Sequence, residues 1–239
     1  MRVGAFQRFS IFDDPGRAIE GIARDCSLAD ERGVDLALFP EAYLQGHAYD
    51  EGLIERRAVT LDGPVVGGML RRLSGVKAVV IVGLFERRGS HILNSAVVIE
   101  GGRIVGVYAK AFPIEDGCVP GTDFPVWTRS NWTFGINICN DLNHPCAAER
   151  LTTQGARLIR APINMTLRAK KADRWRVPTL DNLKDTARRS RCWLIAADVA
   201  GPGLDGWFSY GCTAIISPDG TVVGRSAELV EDMVIFDLP

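Results

Sequence analysis

Three residues with reactive side chains each stand directly after an apolar segment of the chain. Glu41 follows "LALFP", Lys110 follows "RIVGVYA" and Cys139 follows "WTFGINI". Sites in α/β proteins gather beyond the carboxyl ends of strands, so a fold could bring these three positions together. Taken singly, each has an ordinary alternative: a solvated glutamate or lysine, or a cysteine that serves as a small core residue. The interpretation therefore depends on the set.

Together the three side chains could cleave an acyl bond. A thiolate is a strong nucleophile, although little of a free thiol is ionised at neutral pH. The Glu41 carboxylate could take the thiol proton, protonate a leaving amine and later activate water. The Lys110 ammonium, with the backbone N–H of Asn140 as a second donor, would stabilise the oxyanion of a tetrahedral intermediate. This chemistry requires no histidine base.

Predicted strands and helices alternate in a way that would position these residues. The chain from Pro15 to Gly33 has apolar residues at helical spacing, and Pro64 to Leu73 is a second helical stretch. "AAERLTTQG" and "TLDNLKDTARRSR" predict two further helices, the latter starting at Pro178. The order β-α-β-α followed by several strands occurs twice. It predicts one α/β domain over residues 1–239, with two similar halves, two packed sheets and helices outside.

The bulk composition argues against several classes of function. The 239 residues are 46% hydrophobic and 24% charged, which is ordinary for a globular protein. The net charge of −1 gives no reason to expect nucleic acid or an anionic membrane as a partner, and no apolar run is long enough to span a bilayer. Six scattered cysteines without an export signal predict free thiols in a reducing cytoplasm.

Three segments resemble the motifs of a known family. "LALFPEAYLQG", "VYAKAFPIEDGCVPG" and "FGINICNDLNHP" look like the Glu, Lys and Cys motifs of the nitrilase superfamily, the carbon–nitrogen hydrolases. Other segments, from "MRVGAFQ" to "YGCTAIISPDGTVVG", extend the resemblance over almost the whole chain. The resemblance implies a four-layer αββα sandwich, a cysteine mechanism without cofactor or metal, and frequent homo-oligomers.

The resemblance also implies roles for individual residues. Glu41 would be the general base, Lys110 the oxyanion-stabilising lysine and Cys139 the nucleophile. "FPIEDGCVPG" is similar to the segment of family amidases that holds a second glutamate, here Glu115, which would position the lysine and the substrate amine. Asn164 in "PINM" would line the substrate pocket.

The sequence departs from the family pattern at several positions, and these departures affect the assignment to a subfamily more than the mechanism. Ala109 stands where many members have arginine, and Pro145–Cys146 stands where many have proline–glutamate. Nitrilases proper usually place tryptophan–glutamate after the cysteine, whereas Asn140–Asp141 follows here, as in amidases and carbamoyl-amide hydrolases. The sequence therefore favours hydrolysis of a small linear amide or carbamoyl amide through a thioester. The alternatives are a nitrilase that acts on a nitrile, and a non-catalytic binding protein that retains the fold.

Two sequence patterns resemble ligand-binding motifs, but we expect no ligand at either of them. "GPGLDG", Gly201 to Gly206, matches a dinucleotide fingerprint, but a strand follows it where the fingerprint needs a helix. We interpret it as a flexible loop that could form a wall or lid of the pocket. Cys139, His144 and Cys146 cluster without a usual zinc spacing, so no metal site is predicted.

Two other features are interpreted as solvated structure. His47 and His144 lie near the motif loops and could contact a site, but we interpret each of them as a polar loop residue. The basic run Arg168 to Arg176 is interpreted as a solvated connection beside an oligomer contact.

Overall fold

The computed structural model describes residues 1–239 as fifteen strands and five α-helices. The helices are α1 (Pro15–Glu31), α2 (Glu51–Arg57), α3 (Pro64–Arg72), α4 (Pro145–Thr152) and α5 (Ala169–Ser190). The strands of the first half are β1 (Arg2–Phe9), β2 (Leu36–Leu38), β3 (Val79–Arg88), β4 (His91–Glu100) and β5 (Arg103–Ala109). Those of the second half are β6 (Val126–Arg129), β7 (Trp132–Ile136), β8 (Leu158–Pro162), β9 (Leu167–Arg168), β10 (Trp193–Ala197), β11 (Val199–Pro202), β12 (Trp207–Ser209), β13 (Ala214–Ile216), β14 (Val222–Arg225) and β15 (Asp232–Asp237).

The two sheets repeat one pattern of strand pairing. In the first sheet, the order β15-β1-β2-β3-β4-β5 has β1, β2 and β3 parallel and the other pairings antiparallel. In the second, the order β6-β7-β8-β10-β13-β14 has β7, β8 and β10 parallel and the other pairings antiparallel. The short strands β11, β12 and β9 extend the first sheet beyond β1. The predicted duplication of the domain is confirmed.

Side chains that alternate along the strands define four layers. Leu36 and Leu38 of β2 belong to an apolar cluster shared by both sheets, whereas Ala37 between them belongs to the cluster formed with α1 and α3. In the second sheet, Ile195 faces the first sheet and Leu194 packs with α5. Helices therefore cover the outside of both sheets. The αββα sandwich is confirmed.

Arg160 of β8 crosses the layer between the two sheets. Its side chain is fully buried and has no carboxylate within salt-bridge distance. Nη2 donates to the carbonyl oxygens of Gly4 at 3.2 Å and of Leu36 at 3.4 Å, both in the first sheet. Burial lowers the pKa of this guanidinium, since a charged group is disfavoured away from water. The contact joins the two halves of the chain.

Helix α1 follows the sequence signals closely, whereas α5 does not. Asp14 Oδ1 accepts the backbone N–H of Arg17 at 2.9 Å, and Gly33 adopts a φ of +68° just after the helix. Pro178, predicted as the start of the last helix, lies inside α5. The prediction of a solvated connection over Arg168 to Arg176 is wrong for most of the run, because α5 begins at Ala169. Alanine, lysine and arginine are good helix formers, and their propensity overrides the proline signal here.

Two short elements were not predicted. Helix α2 has only seven residues, too few for a periodic apolar signal, and Asp50 Oδ1 caps it by accepting the N–H of Leu53 at 2.9 Å. Strand β6 has only four residues, which is likewise too short for a clear periodic signal. None of the five helices combines the length and apolar character required to cross a lipid bilayer.

Candidate active site

Glu41 lies in a tight turn that follows β2. Its side chain is fully buried, and its backbone N–H donates to the carbonyl oxygen of Ile163 at 3.2 Å, just after β8 of the other sheet. Ala42 adopts a φ of +46°, a left-handed conformation that costs energy for a residue with a Cβ. The turn therefore fixes the carboxylate at the meeting point of the two halves.

Gly83 of β3 leaves the space in which the Glu41 turn sits. A Cβ at this position would lie 2.5 Å from both Ala42 N and Pro40 O. Gly83→Ala should therefore lower the free energy of unfolding by about 1–3 kcal/mol, measured by urea denaturation, since backbone must move. As a control, Gly21→Ala in α1 meets no atom within 4 Å and should raise stability by about 0.5–1 kcal/mol. Unchanged stability of Gly83→Ala would show that the turn is not tightly held.

Lys110 joins the two glutamates predicted from the motifs. Its Nζ donates to Glu41 Oε1 and to Glu115 Oε1, each at 2.7 Å, and all three side chains are buried. Asn94 Nδ2 also donates to Glu41 Oε1, at 2.8 Å. Burial lowers the pKa of Lys110, but the negative charges of Glu41 and Glu115 outweigh it and hold the pKa well above its usual value. The lysine is therefore a permanent cation.

His47 contacts Glu115 at the same carboxylate oxygen as Lys110. Nε2 of His47 lies 3.0 Å from Glu115 Oε1 and 3.9 Å from Glu41 Oε1, and the backbone N–H of Ile114 donates to Glu115 Oε2 at 3.0 Å. Burial raises the pKa of Glu115, but the hydrogen bond from His47 and the charge of Lys110 bring it well below its usual value. The reading of His47 as a polar loop residue is wrong: the side chain is buried within the charged cluster.

Cys139 begins a 3₁₀ turn, Cys139–Asn143, which is separated from the end of β7 by Asn137 and Ile138. Its φ of +43° is strained for a residue with a side chain, and the residue is half-buried on the wall of a cavity. Burial, followed by the charge of Glu41, raises the pKa of the thiol well above its usual value, while Lys110 and the backbone N–H of Asn164 oppose that shift. The resting sulfur is therefore a thiol that needs a base.

Asp141 holds the turn that carries Cys139. Its Oδ2 accepts the backbone N–H of Ile138 at 2.8 Å and the hydroxyl of Tyr108 at 2.7 Å, and its Oδ1 accepts the N–H of Phe112 at 2.9 Å. One buried carboxylate thus ties the Cys139 turn to the end of β5, beside Lys110. The sequence marked Asp141 only as part of the Asn140–Asp141 pair that favours an amide substrate, and not as the residue that holds this turn.

Asn140 and Asn164 both line the cavity that Cys139 lines. Asn140 Nδ2 donates to the carbonyl oxygen of Phe112 at 2.9 Å. Asn164 is buried, its Oδ1 accepts the N–H of Thr166 at 3.1 Å and its Nδ2 donates to the carbonyl oxygen of Glu41 at 3.4 Å. Both side chains are thus oriented by backbone groups, as a preformed pocket requires.

The nucleophile cavity, the space lined by Cys139, Asn140 and Asn164, has a volume of about 140 Å³. Apolar side chains form most of the remaining wall: Tyr49, Ile114, Leu142, Ile163, Met165 and Trp175. Lys171 and Trp175 belong to the basic run of α5, so part of that run faces the cavity. His144 is outside the charged cluster; its ring stacks on Phe112 with centroids 3.8 Å apart.

Glu41, His47 and Glu115 bring possible metal ligands within 4.8 Å of one another. The Lys110 ammonium already lies 2.7 Å from both carboxylates, so it takes the position that a metal cation would occupy. The "GPGLDG" segment runs from β11 into β12, two antiparallel strands, and therefore lacks the helix that a dinucleotide would need. The arrangement supports acid–base and nucleophilic chemistry.

Comparison with known proteins identifies the family of this chain. Residues 14–239 match the family model described as carbon–nitrogen hydrolase. The structure of an amidase from Nesterenkonia sp. covers 100% of this chain and 90% of that chain, with a TM-score of 0.85 and 22% identity. Deaminated glutathione amidase from Escherichia coli O157:H7 is 25% identical over 210 residues, which are 84% of this chain and 77% of that protein.

A longer relative is matched over part of its length. The glutamine-dependent NAD(+) synthetase of Xanthomonas campestris pv. campestris is 26% identical over 238 residues, which are 95% of this chain but 41% of the synthetase. The chain thus spans about two fifths of that relative. With a family match over residues 14–239 and the αββα sandwich, the chain belongs to the carbon–nitrogen hydrolases of the nitrilase superfamily.

Proposed function

We propose that this chain hydrolyses the carbon–nitrogen bond of a small linear amide or carbamoyl amide through a thioester. The observation that carries the proposal is the buried 2.7 Å contact of Lys110 Nζ with Glu41 Oε1, together with Cys139 on the cavity wall. Glu41 Oε2 is buried and has no hydrogen-bond partner in the protein. A general base requires a free acceptor of this kind.

In the first step, Cys139 attacks the carbonyl carbon of the amide. The thiol is protonated at rest, so Glu41 takes its proton as the carbon–sulfur bond forms. The Lys110 ammonium and the backbone N–H of Asn140 stabilise the oxyanion. The carbon–nitrogen bond then breaks, the nitrogen takes the proton from Glu41, and ammonia or an amine leaves.

In the second step, water hydrolyses the thioester. Glu41, again a carboxylate, removes a proton from water while the water oxygen attacks the acyl carbon. The carbon–sulfur bond breaks, the sulfur takes that proton back from Glu41, the acid leaves, and the Cys139 thiol and the Glu41 carboxylate are restored. Lys110 remains protonated throughout, because Glu41 and Glu115 hold its pKa high. Glu115 thus acts as a positioning residue, and the sequence of steps uses no cofactor or metal.

The residues after the nucleophile support an amide over a nitrile. Asn140 and Asp141 follow Cys139, and all the hydrogen bonds of the Asp141 carboxylate serve to hold the loop. We further propose that the protein is a cytoplasmic homo-oligomer whose partner is a small-molecule amide, without nucleic acid or membrane. Six free cysteines and the net charge of −1 support this, and exposed apolar residues such as Val105 and Val177 offer surface that a second copy could cover.

The variant Glu41→Gln tests the mechanism. We expect both steps to slow with primary amides, since Glu41 is the base for each. We also expect an acyl-enzyme to accumulate, because water is the weaker nucleophile and its attack is slowed more than that of sulfur. Intact-mass spectrometry after incubation with a panel of short-chain primary amides would detect an added acyl group on the protein. The same experiment with wild-type protein should show no accumulated adduct.

Matched controls separate the outcomes. Glu55→Gln, on the exposed side of α2, should behave as wild type. Adding Cys139→Ala to Glu41→Gln should remove the mass increase. Unchanged turnover in Glu41→Gln would show that Glu41 has a structural role and is not the general base. Ammonia release from a nitrile, but not from its matching amide, would instead make the protein a nitrilase.

A further inference from the structure

A second cavity adjoins the nucleophile cavity across Tyr49. This outer cavity has a volume of about 260 Å³, and Tyr49 is the residue that lines both spaces. Its apolar wall consists of Phe12, Ala48, Tyr49, Leu53, Leu204 and Trp207. Leu204 belongs to the "GPGLDG" segment, which thus forms one side of the outer cavity.

The outer cavity comes within one side chain, His47, of the buried carboxylates. His47 lines it, and His47 Nε2 lies 3.0 Å from Glu115 Oε1 and 3.9 Å from Glu41 Oε1. The sulfur of Cys139, by contrast, belongs to the nucleophile cavity. In the mechanism proposed above, the leaving nitrogen takes its proton from Glu41. A substituent on that nitrogen would therefore extend toward the outer cavity, while the acyl chain occupies the nucleophile cavity.

The charged groups in the outer wall are largely committed to the protein. Arg57 forms a bidentate ion pair with Asp13 at 2.6 and 2.7 Å, and Nη1 also donates to the carbonyl oxygens of Gly46 and His47. Asp50 caps α2. The aromatic rings remain available: Tyr49 lies against Trp207 with centroids 5.5 Å apart. The lining therefore suits an apolar group rather than an anion.

The volumes indicate the sizes of the two substituents. An apolar cavity of about 150 Å³ is enough to hold benzene. At about 140 Å³, the nucleophile cavity suits a short acyl chain, whereas the outer cavity, at about 260 Å³, has room for an aromatic ring with a linking methylene. A substrate that fills both would be larger on the amine side than on the acyl side.

We propose that the outer cavity is the subsite for an apolar amine, so that N-substituted amides or carbamoyl amides are the preferred substrates. This inference rests on the proposed function. Cys139 attacks the acyl carbon, the carbon–nitrogen bond breaks, and the nitrogen takes the Glu41 proton. The product is a primary amine instead of ammonia, and water then releases the acid from the thioester.

The test compares propanamide with N-benzylpropanamide, which differ only on nitrogen. Wild-type protein should hydrolyse the benzyl amide with a kcat/KM at least equal to that for propanamide. Leu53→Trp, which fills the outer cavity, should lower the ratio of the two kcat/KM values by about tenfold or more. Leu53 lies within α2, so a tryptophan there could also disturb the helix. Leu204→Trp, at an exposed loop position, is therefore a second variant, and it should lower the same ratio. The control Leu229→Trp, at an exposed position outside both cavities, should leave the ratio unchanged.

The outcomes distinguish this inference from the proposed function. Hydrolysis of propanamide but not of N-benzylpropanamide would overturn the amine subsite and leave the amidase proposal intact. An equal loss for both substrates in the two tryptophan variants would also overturn the subsite. Failure of wild-type protein to hydrolyse either amide would overturn both proposals.

Discussion

Cys139→Ala should reduce amide hydrolysis by about a thousandfold or more, while the protein keeps its fold. The substitution removes the atom that forms the thioester, and neither Glu41 nor Lys110 can replace a sulfur nucleophile. Cys139 is half-buried at the cavity wall, so loss of its sulfur removes little packing. Ammonia release from primary amides measures activity, and urea denaturation checks the fold.

The other cysteines supply the controls for this prediction. Cys146 is exposed, and Cys118 is half-buried with its pKa raised to about 12, chiefly by burial. Cys118→Ala and Cys146→Ala should retain most of the activity, because neither sulfur lines the nucleophile cavity. Full activity of Cys139→Ala would remove the basis of the mechanism and would favour a binding protein with this fold.

Lys110→Met should lower the free energy of unfolding at neutral pH by about 3–5 kcal/mol and abolish activity. The change leaves Glu41 and Glu115 buried without a countercharge, which is the costly way to break a buried ion pair. Urea denaturation over a range of pH measures the effect. Lys184→Met, which removes an exposed pair with Asp181, should cost less than about 1 kcal/mol.

The pH dependence of this loss has a definite sign. In the wild-type protein, the pKa of Glu115 lies below its value in the unfolded chain. Its ionisation therefore stabilises the fold above about pH 4.3, and that contribution disappears as the pH falls through the lowered folded pKa. In Lys110→Met the carboxylates bind protons more readily, so the deficit in stability should shrink toward acid pH. A deficit independent of pH would show that the loss comes from packing.

The three reactive residues could be proposed from the sequence because each follows an apolar strand within three residues. Glu41, Lys110 and Cys139 stand after β2, β5 and β7, and the motifs around them are distinctive. The duplicated order of strands and helices was equally visible. Since parallel strands covered on both faces have near-continuous apolar runs, the central strands of both sheets were predictable.

The surroundings of the reactive set could not be found in this way. His47 and Tyr49 lie in an irregular segment and Asp141 lies in a short 3₁₀ turn, and apolar periodicity marks none of these positions. Their importance comes from partners distant along the chain, such as Glu115 for His47 and Tyr108 for Asp141. The beginning of α5 was missed for a different reason: Pro178 is tolerated inside a helix whose other residues favour that conformation.

The contact of Arg160 with Gly4 and Leu36 shows how dependent the reactive set is on the association of the two sheets. Glu41 and Lys110 come from one sheet and Cys139 from the other, so neither half possesses a complete set on its own. If the interface loosened, Glu41 and Lys110 would move away from Cys139 even while each sheet kept its own strand pairing. The proposed activity would therefore be a sensor of long-range assembly, and partially unfolded forms would be chemically silent.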